Sequence, residues 1–283
     1  MKDIVPELLE KIQKAFENGV NNNAEIARLR KLIESREGSY IEAEEISKEI
    51  GAELSQAFGN NLSSATLPDG KMYYNIAQRI LQPTLGENHK LITDITTQVQ
   101  NALNKKAGLG IKPVVPEFNQ ERVDGLVNHL DHAETFDDIA RTLDEPIKQH
   151  AMSIVGDAIE ANAKFQYDAG LQPRIVREAE HKCCEWCSRL EGVYRYPDEV
   201  PENVYRRHDR CRCTVDYVVG KKRQDVHHGN RGQKRRYVKD EYDTYVLSKE
   251  ARIKRAQEMA STEAGRKKAA REKRIDTWSK KKK

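Results

Sequence analysis

The chain has 283 residues, of which 37% are hydrophobic and 33% are charged. Five cysteines in a chain of this length exclude a disulfide-built secreted scaffold. No apolar run approaches the roughly eighteen residues that a membrane-spanning helix needs. We therefore expect a protein of a reducing cytoplasm, with an ordinary hydrophobic core and a strongly solvated periphery.

The net charge of +4 is unevenly distributed along the chain. Residues 221–283 contain 22 Lys and Arg against 9 Asp and Glu, whereas residues 1–220 contain 27 against 36. A basic extension on an acidic body is typical of proteins that contact a polyanion, and such a segment neutralises DNA phosphates in a sequence-independent, salt-sensitive way. The residues predicted to contact nucleic acid are Lys221, Lys222, Arg223, Lys234, Arg235, Arg236, Arg266, Lys267 and Lys268.

Residues 1–112 are predicted to form an N-terminal helical region, because apolar residues recur there every three or four positions. Ser39 followed by Glu42 is the pattern of a capping box and predicts the start of the third helix. Pro83 is expected to end a later amphipathic stretch. A separate helix after Pro83 is expected to close at Gly108.

Residues 113–171 are predicted to form a second helical region. A proline-punctuated connector opens it, and a long helix then runs from about residue 145 to residue 169, with Gly170 as its C-terminal stop. The side chains expected on the buried face of this helix are Ile147, Met152, Ile154, Ile159 and Phe165.

Residues 172–220 have a different character, because short β-prone runs replace the helical periodicity. Strands are predicted over 174–179, 192–196 and 213–219. The fold class that follows is mostly α, with a small zinc-stapled β region (α+β) and a basic C-terminal extension over residues 221–283.

Two half-sites of metal-binding type lie within this β region. Cys184 and Cys187 form a C-x2-C pair, and His208 and Cys211 form an H-x2-C pair after twenty intervening residues. Each pair places two donors within one turn, and four such donors close a tetrahedral shell around Zn²⁺. Cys213 is the alternative fourth ligand, because a C-x-C pair in a strand projects both thiols to one face.

The donor count favours a structural zinc ion over a catalytic one. A catalytic site keeps one coordination position open and needs a general base nearby, whereas here the donors fill four places with one to spare. Cys183 is predicted to have no part in binding. The ion is expected to contribute about ten kcal/mol to the folding of a sheet that is too small to be stable alone.

Other catalytic patterns are weak in this sequence. Adjacent carboxylates such as Glu44 and Glu45 diverge on a helix, so we expect them on solvated faces and not in an acid–base dyad. No phosphate-binding glycine loop, nucleophile elbow or dinucleotide fingerprint is present. The sequence therefore predicts a protein that is not an enzyme.

Two alternative functions stay open. His227 and His228, with Asn230, resemble part of a His-Asn-His nuclease finger, but no histidine follows His228 to complete the metal site. The other alternative is a zinc-containing nucleic-acid-binding protein whose function depends on the basic extension.

The order of these features resembles the phage Mu F-like head-morphogenesis family, the minor head proteins of tailed phages. A long helical region is followed by a strand, C-x2-C, a Leu-x-Gly hairpin and His-x-x-Cys-Arg-Cys-Thr-Val. The resemblance covers roughly residues 80–220 and is sharpest over 174–219. The residues that carry it are Cys184, Cys187, Leu190, Gly192, His208, Cys211, Arg212, Cys213, Thr214 and Val215.

The resemblance implies a minor capsid protein that is assembled in the host cytoplasm and resides in the virion. Its expected place is at or near the portal vertex, its partners are the portal protein, the major capsid protein or both, and packaged DNA meets the basic tail. No membrane is expected among its partners. The family often has Pro before the histidine and Pro-Asn after it, where this chain has Arg207 and Asp209-Arg210. We expect these differences to change the stiffness of the loop and not the metal ligation.

Overall fold

The computed structural model describes residues 3–35, 38–140, 142–180, 183–208 and 211–219. These residues form a mostly helical body with a small antiparallel sheet, as the composition and periodicity predict. The helices are α1 (Val5–Asn22), α2 (Ala24–Glu34), α3 (Tyr40–Asn61), α4 (Tyr74–Lys106), α5 (Gln120–Asp131), α6 (Phe136–Ala140), α7 (Asp144–Asp168) and α8 (Glu185–Arg189), and the strands are β1 (Arg174–Glu178), β2 (Gly192–Arg195) and β3 (Thr214–Val218).

Local sequence signals set several helix boundaries. The amide of Ile41 donates to Ser39 Oγ at 3.2 Å, and the amide of Ser39 donates to Glu42 Oε2 at 2.7 Å, so the capping box that begins α3 is confirmed. Gly108 and Gly170 follow α4 and α7 with φ of 71° and 83°. Both glycines end their helices in the left-handed conformation that a residue without a Cβ adopts readily.

The prediction that Pro83 ends a helix is wrong. Helix α4 runs without a break from Tyr74 to Lys106, with Pro83 inside it. A proline in a helix interior costs about 3 kcal/mol, because its missing N–H and its ring disturb the preceding turn. Leu81 and Leu85 are buried on either side of it, and burial of such side chains contributes about 1.5–3 kcal/mol each. Tertiary burial therefore outweighs the local preference.

The centre of the helical body is the contact between α3 and α7. Gly51 of α3 lies so close to α7 that an added Cβ would be 2.9 Å from Ala151 Cβ and 3.0 Å from Lys148 Cα. A side chain at position 51 would push the two helices apart, so glycine permits their close approach. The buried side chains of α1, α2 and α4 complete the core around this pair.

Near the C-terminal end of α7, an amide side chain is buried, although Phe165 was expected to face the core there. Ile147, Met152, Ile154 and Ile159 are buried as predicted, but Phe165 is 40% exposed. Gln166 takes the inward position instead, and its Nε2 donates to Asn104 Oδ1 at 2.8 Å. Gln100 Nε2 donates to the same oxygen at 2.8 Å, and Tyr40 OH donates to Gln100 Oε1 at 2.7 Å. This buried polar network connects α3, α4 and α7.

The three predicted strands are confirmed, and they form one antiparallel sheet in the order β2-β1-β3. The register places Val176 of β1 opposite Val193 of β2 and Asp216 of β3. Ile175, Val215 and Tyr217 are buried in the same apolar core as the helices. The helical body therefore supports one face of this small sheet, in addition to any support from a metal ion.

Among the helices that the structure describes, none is both long enough and apolar enough to span a lipid bilayer.

A buried histidine lies on α7. His150 is 5% exposed, and neither ring nitrogen has a hydrogen-bond partner within the described part of the chain. Burial lowers its pKa to about 4, and the charges of Arg122 and His89 act in the same direction. Burial also lowers the pKa of His89. The folded protein therefore keeps His150 neutral at a pH where the unfolded chain protonates it.

We predict that His150 makes the fold sensitive to acid. The unfolded chain takes up a proton below the ordinary histidine pKa of about 6.5, whereas the folded chain does so only near 4, so stability falls as the pH falls through this window. The loss is about 3 kcal/mol at the lower end. Urea unfolding of wild type and of His150→Leu at pH 7 and pH 5 measures it, and the variant should lose less stability between the two values. His132→Ala, at an exposed position, controls for the change in composition, and equal losses in wild type and His150→Leu would contradict the assignment.

Candidate metal centre

The first half-site is a single turn at the start of α8. Cys184 is the N-cap of this helix, and its Sγ accepts a hydrogen bond from the amide of Cys187 at 3.5 Å. The Cys187 side chain is buried, whereas Cys184 is exposed. The C-x2-C spacing therefore brings both sulfur atoms to one end of the helix, as predicted.

The second half-site is a turn that leads into β3. The amide of Cys211 donates to the carbonyl of His208 at 3.0 Å, which closes the H-x2-C pair into one turn. Cys211 and Cys213 are buried, and His208 is exposed. Three buried sulfur atoms, those of Cys187, Cys211 and Cys213, form a small cluster apart from the main apolar core.

The two half-sites meet at Cys187. Its Sγ lies 3.1 Å from His208 Nε2 and 3.6 Å from Cys211 Sγ, and Cys184 Sγ lies 3.2 Å from the same His208 nitrogen. Donors around a tetrahedral Zn²⁺ lie about 3.5–3.8 Å apart, given bonds of about 2.3 Å to sulfur and about 2.0 Å to nitrogen. The observed separations are close to these values, so the cluster could hold a metal ion.

All five predicted donors take part in one of two groups whose ligand atoms lie within 4.8 Å of one another. One group consists of Cys184, Cys187 and His208, and the other consists of Cys187, Cys211 and Cys213. Cys187 belongs to both. Cys183 is half-buried, packs against the sulfur cluster and belongs to neither group.

The surroundings of the cysteine thiols shift their pKa values in different directions. Hydrogen bonding from the Cys187 amide lowers the pKa of Cys184. Burial raises the pKa of Cys187 and of Cys213. A thiol becomes a metal ligand as the thiolate, and a bound cation stabilises that charge. A bound metal ion would therefore favour the thiolate form of these buried cysteines.

Arg207, which precedes the histidine ligand, ties this turn to the helical body. Its side chain is 5% exposed, and its guanidinium donates to Glu44 of α3 and to the carbonyl of Cys213. From the sequence, we expect this residue to affect only the stiffness of the loop. A sign of this role in the sequence is that Arg207 stands where the family often has proline. The sequence does not identify Glu44 as the partner of Arg207.

The expectation that Glu44 lies on a solvated face is wrong. Its side chain is 3% exposed, and Oε1 also accepts the amide of Val215 at 3.2 Å. Burial raises the pKa of Glu44 to about 7, against the opposing charge of Arg207. Glu44 thus contacts Arg207, which lies before one candidate ligand, and Val215, which lies after another.

The predicted DNA-contacting residues, from Lys221 to Lys268, lie outside the described residues, as do His227 and His228. The contact of the basic tail with DNA therefore stays a prediction from the sequence.

Comparison with protein-family models, with curated proteins and with solved structures finds no match to this chain. The resemblance to minor head proteins therefore depends on the motif residues over 174–219.

We predict strong energetic coupling between Glu44 and Arg207. Glu44→Gln or Arg207→Met alone leaves a buried partner without its counter-charge, and each should cost about 3–5 kcal/mol of unfolding free energy. The double variant removes both charges and should cost clearly less than the sum. Urea unfolding at pH 8, followed by circular dichroism, measures the coupling.

The matched control for this cycle is the exposed pair Glu10–Lys14, whose side chains are 64% and 70% exposed. A cycle of Glu10→Gln and Lys14→Met should show almost no coupling, because solvent screens the pair. Additive effects of the Glu44 and Arg207 changes would show that the buried contact contributes nothing specific.

Proposed function

We propose that residues 172–219 hold a structural zinc ion and form a rigid knuckle on the helical body. The observation that carries the proposal is the convergence of two one-turn half-sites on Cys187 Sγ, with donors at 3.1 and 3.6 Å. The donor set contains several sulfur atoms and one imidazole. Such soft and borderline ligands select Zn²⁺ over Mg²⁺ and Ca²⁺, which require oxygen.

A structural role agrees with the number and placement of the donors. Cys184, Cys187 and His208 form one group of three ligands. In our preferred set the fourth ligand is Cys211, which groups with Cys187 and Cys213, and Cys213 is the alternative. A shell filled by protein donors leaves no position for a substrate or an activated water molecule. The ion would clamp α8 to the turn before β3.

We further propose that the chain acts as a phage minor head protein in head morphogenesis, at or near the portal vertex. The order of strand, C-x2-C, hairpin and His-x-x-Cys-Arg-Cys-Thr-Val supports this role. The knuckle would present one fixed surface to the portal or the major capsid protein. The basic residues beyond position 220 would neutralise phosphates of packaged DNA.

We predict about one zinc ion per chain in freshly purified, reduced protein, measured by elemental analysis. Cys187→Ser removes the donor common to both groups, so it should abolish stoichiometric zinc while the helical circular dichroism signal remains. Cys183→Ser is the matched control and should retain zinc. Comparison of Cys211→Ser with Cys213→Ser identifies the fourth ligand, since only the true ligand lowers affinity strongly. Wild-type protein without zinc, or full zinc in Cys187→Ser, would overturn the proposed site.

We predict that the protein is found in purified virions in few copies and that it co-purifies with the portal protein. Mass spectrometry of induced particles and affinity capture with a tagged portal protein measure the two outcomes. A version truncated after residue 219 should still bind the portal but should lose DNA binding in a salt titration. Normal particles that lack the protein would exclude the head role, and binding to DNA alone would favour the nucleic-acid-binding alternative.

A further inference from the structure

A buried guanidinium lies directly beside the sulfur cluster. Arg177 of β1 is 1% exposed. Its Nη1 donates to the carbonyl of Val204 and, at 3.0 Å, to that of Arg206, and its Nη2 donates to Cys187 Sγ at 3.7 Å. Its Cζ lies 5.6 Å from the centre of the Trp186 ring. One side chain thus touches the sheet, the first half-site and the chain segment that leads to His208.

The buried charge of Arg177 has no carboxylate partner in the described part of the chain. Among the ion pairs of the described residues, no carboxylate pairs with this guanidinium, and its Nε has no hydrogen-bond partner there. A guanidinium stays protonated in proteins, and a buried, unpaired charge is costly. Its Nη2 donates to Cys187 Sγ at 3.7 Å, so the sulfur cluster is a neighbouring group that can carry compensating negative charge once its thiols ionise.

The charge of the cluster depends on what it holds. Neutral thiols give no compensation. A divalent ion with three thiolates and a neutral imidazole carries one negative charge, and the same ion with four thiolates carries two. Either complex places negative charge next to the guanidinium, as in the strong hydrogen bonds between ionised partners.

We propose that Arg177 is the positioning and charge-balancing residue of the centre, which is therefore an anionic complex of a divalent ion with at least three thiolates. This inference rests on the proposed zinc site and adds the residue that tunes it. The guanidinium has two roles in this proposal. Its hydrogen bonds to two carbonyls hold the segment before His208, and its charge favours the thiolate form of the complex.

Arg177→Met tests both tasks, and Arg177→Lys separates them. Lysine keeps the positive charge but lacks the planar fork that serves two carbonyls and a sulfur together. Arg189→Met is the matched control, because Arg189 lies on the neighbouring helix with its side chain 75% exposed. The full chain is prepared reduced and metal-free. Zn²⁺ is then titrated against a chromophoric chelator, and Co²⁺ is added to report thiolate ligation by its charge-transfer and ligand-field bands.

We expect Arg177→Met to weaken zinc binding by about 10–100-fold, the usual effect of losing a group that supports the ligands. Arg177→Lys should fall between this variant and wild type, and Arg189→Met should bind as wild type does. The cobalt spectrum of Arg177→Met should show weakened thiolate bands, whereas far-ultraviolet circular dichroism confirms that its helices are folded.

The outcomes distinguish the two proposals. Wild-type protein that binds no zinc overturns the zinc site and this inference with it. Wild-type affinity in Arg177→Met overturns this inference alone. Equal losses of zinc affinity in Arg177→Met and Arg177→Lys overturn the charge-balancing role. If Arg177→Met does not fold, the zinc affinity of Arg177→Lys is the deciding measurement. Wild-type zinc affinity in Arg177→Lys would show that the planar guanidinium is not needed at this position.

Discussion

Two buried arginines place the ligands of the second half-site. The segment from Val204 to Cys213 has no regular secondary structure in its described residues, so neither a helix nor a strand positions His208. Arg177 holds it from the sheet through two carbonyl groups, and Arg207 holds it from α3 through Glu44. Charged hydrogen bonds in a buried setting are strong and directional. The geometry of the donors therefore depends on contacts that lie outside the donor set.

This dependence distinguishes the site from an independent zinc finger. Strands β1 and β3 contribute Ile175, Val215 and Tyr217 to the core that α3 and α7 share. The ring of Tyr217 meets that of Tyr40 edge to face, with centroids 6.3 Å apart. The sheet thus packs as part of the helical body, and a metal ion bound as proposed would order α8 and the turn before β3. This arrangement is compatible with the proposed role in assembly, which requires a surface of fixed shape.

Buried polar groups recur through the molecule, and they act in two ways. Hydrogen bonds link Tyr40, Gln100, Asn104 and Gln166 across α3, α4 and α7, and such a network favours one packing arrangement over its alternatives. His150 is different, because its ring nitrogens have no partners in the described chain. The first arrangement makes the helix packing specific, whereas the second makes it sensitive to acid.

Features that depend on neighbours within one turn or one strand could be predicted from the sequence. The capping box at Ser39, the helix stop at Gly170, the three strands and the two cysteine half-sites all belong to this class, because their donors and acceptors lie only a few residues apart. The continuation of α4 through Pro83 and the burial of Glu44 could not be predicted in this way, because both depend on long-range packing. Glu44 and Arg207 lie 163 positions apart, and α4 passes its proline because distant side chains bury both flanks. Burial and long-range charge pairing arise from how the helices and strands pack against one another. The local periodicity of apolar residues does not specify that packing.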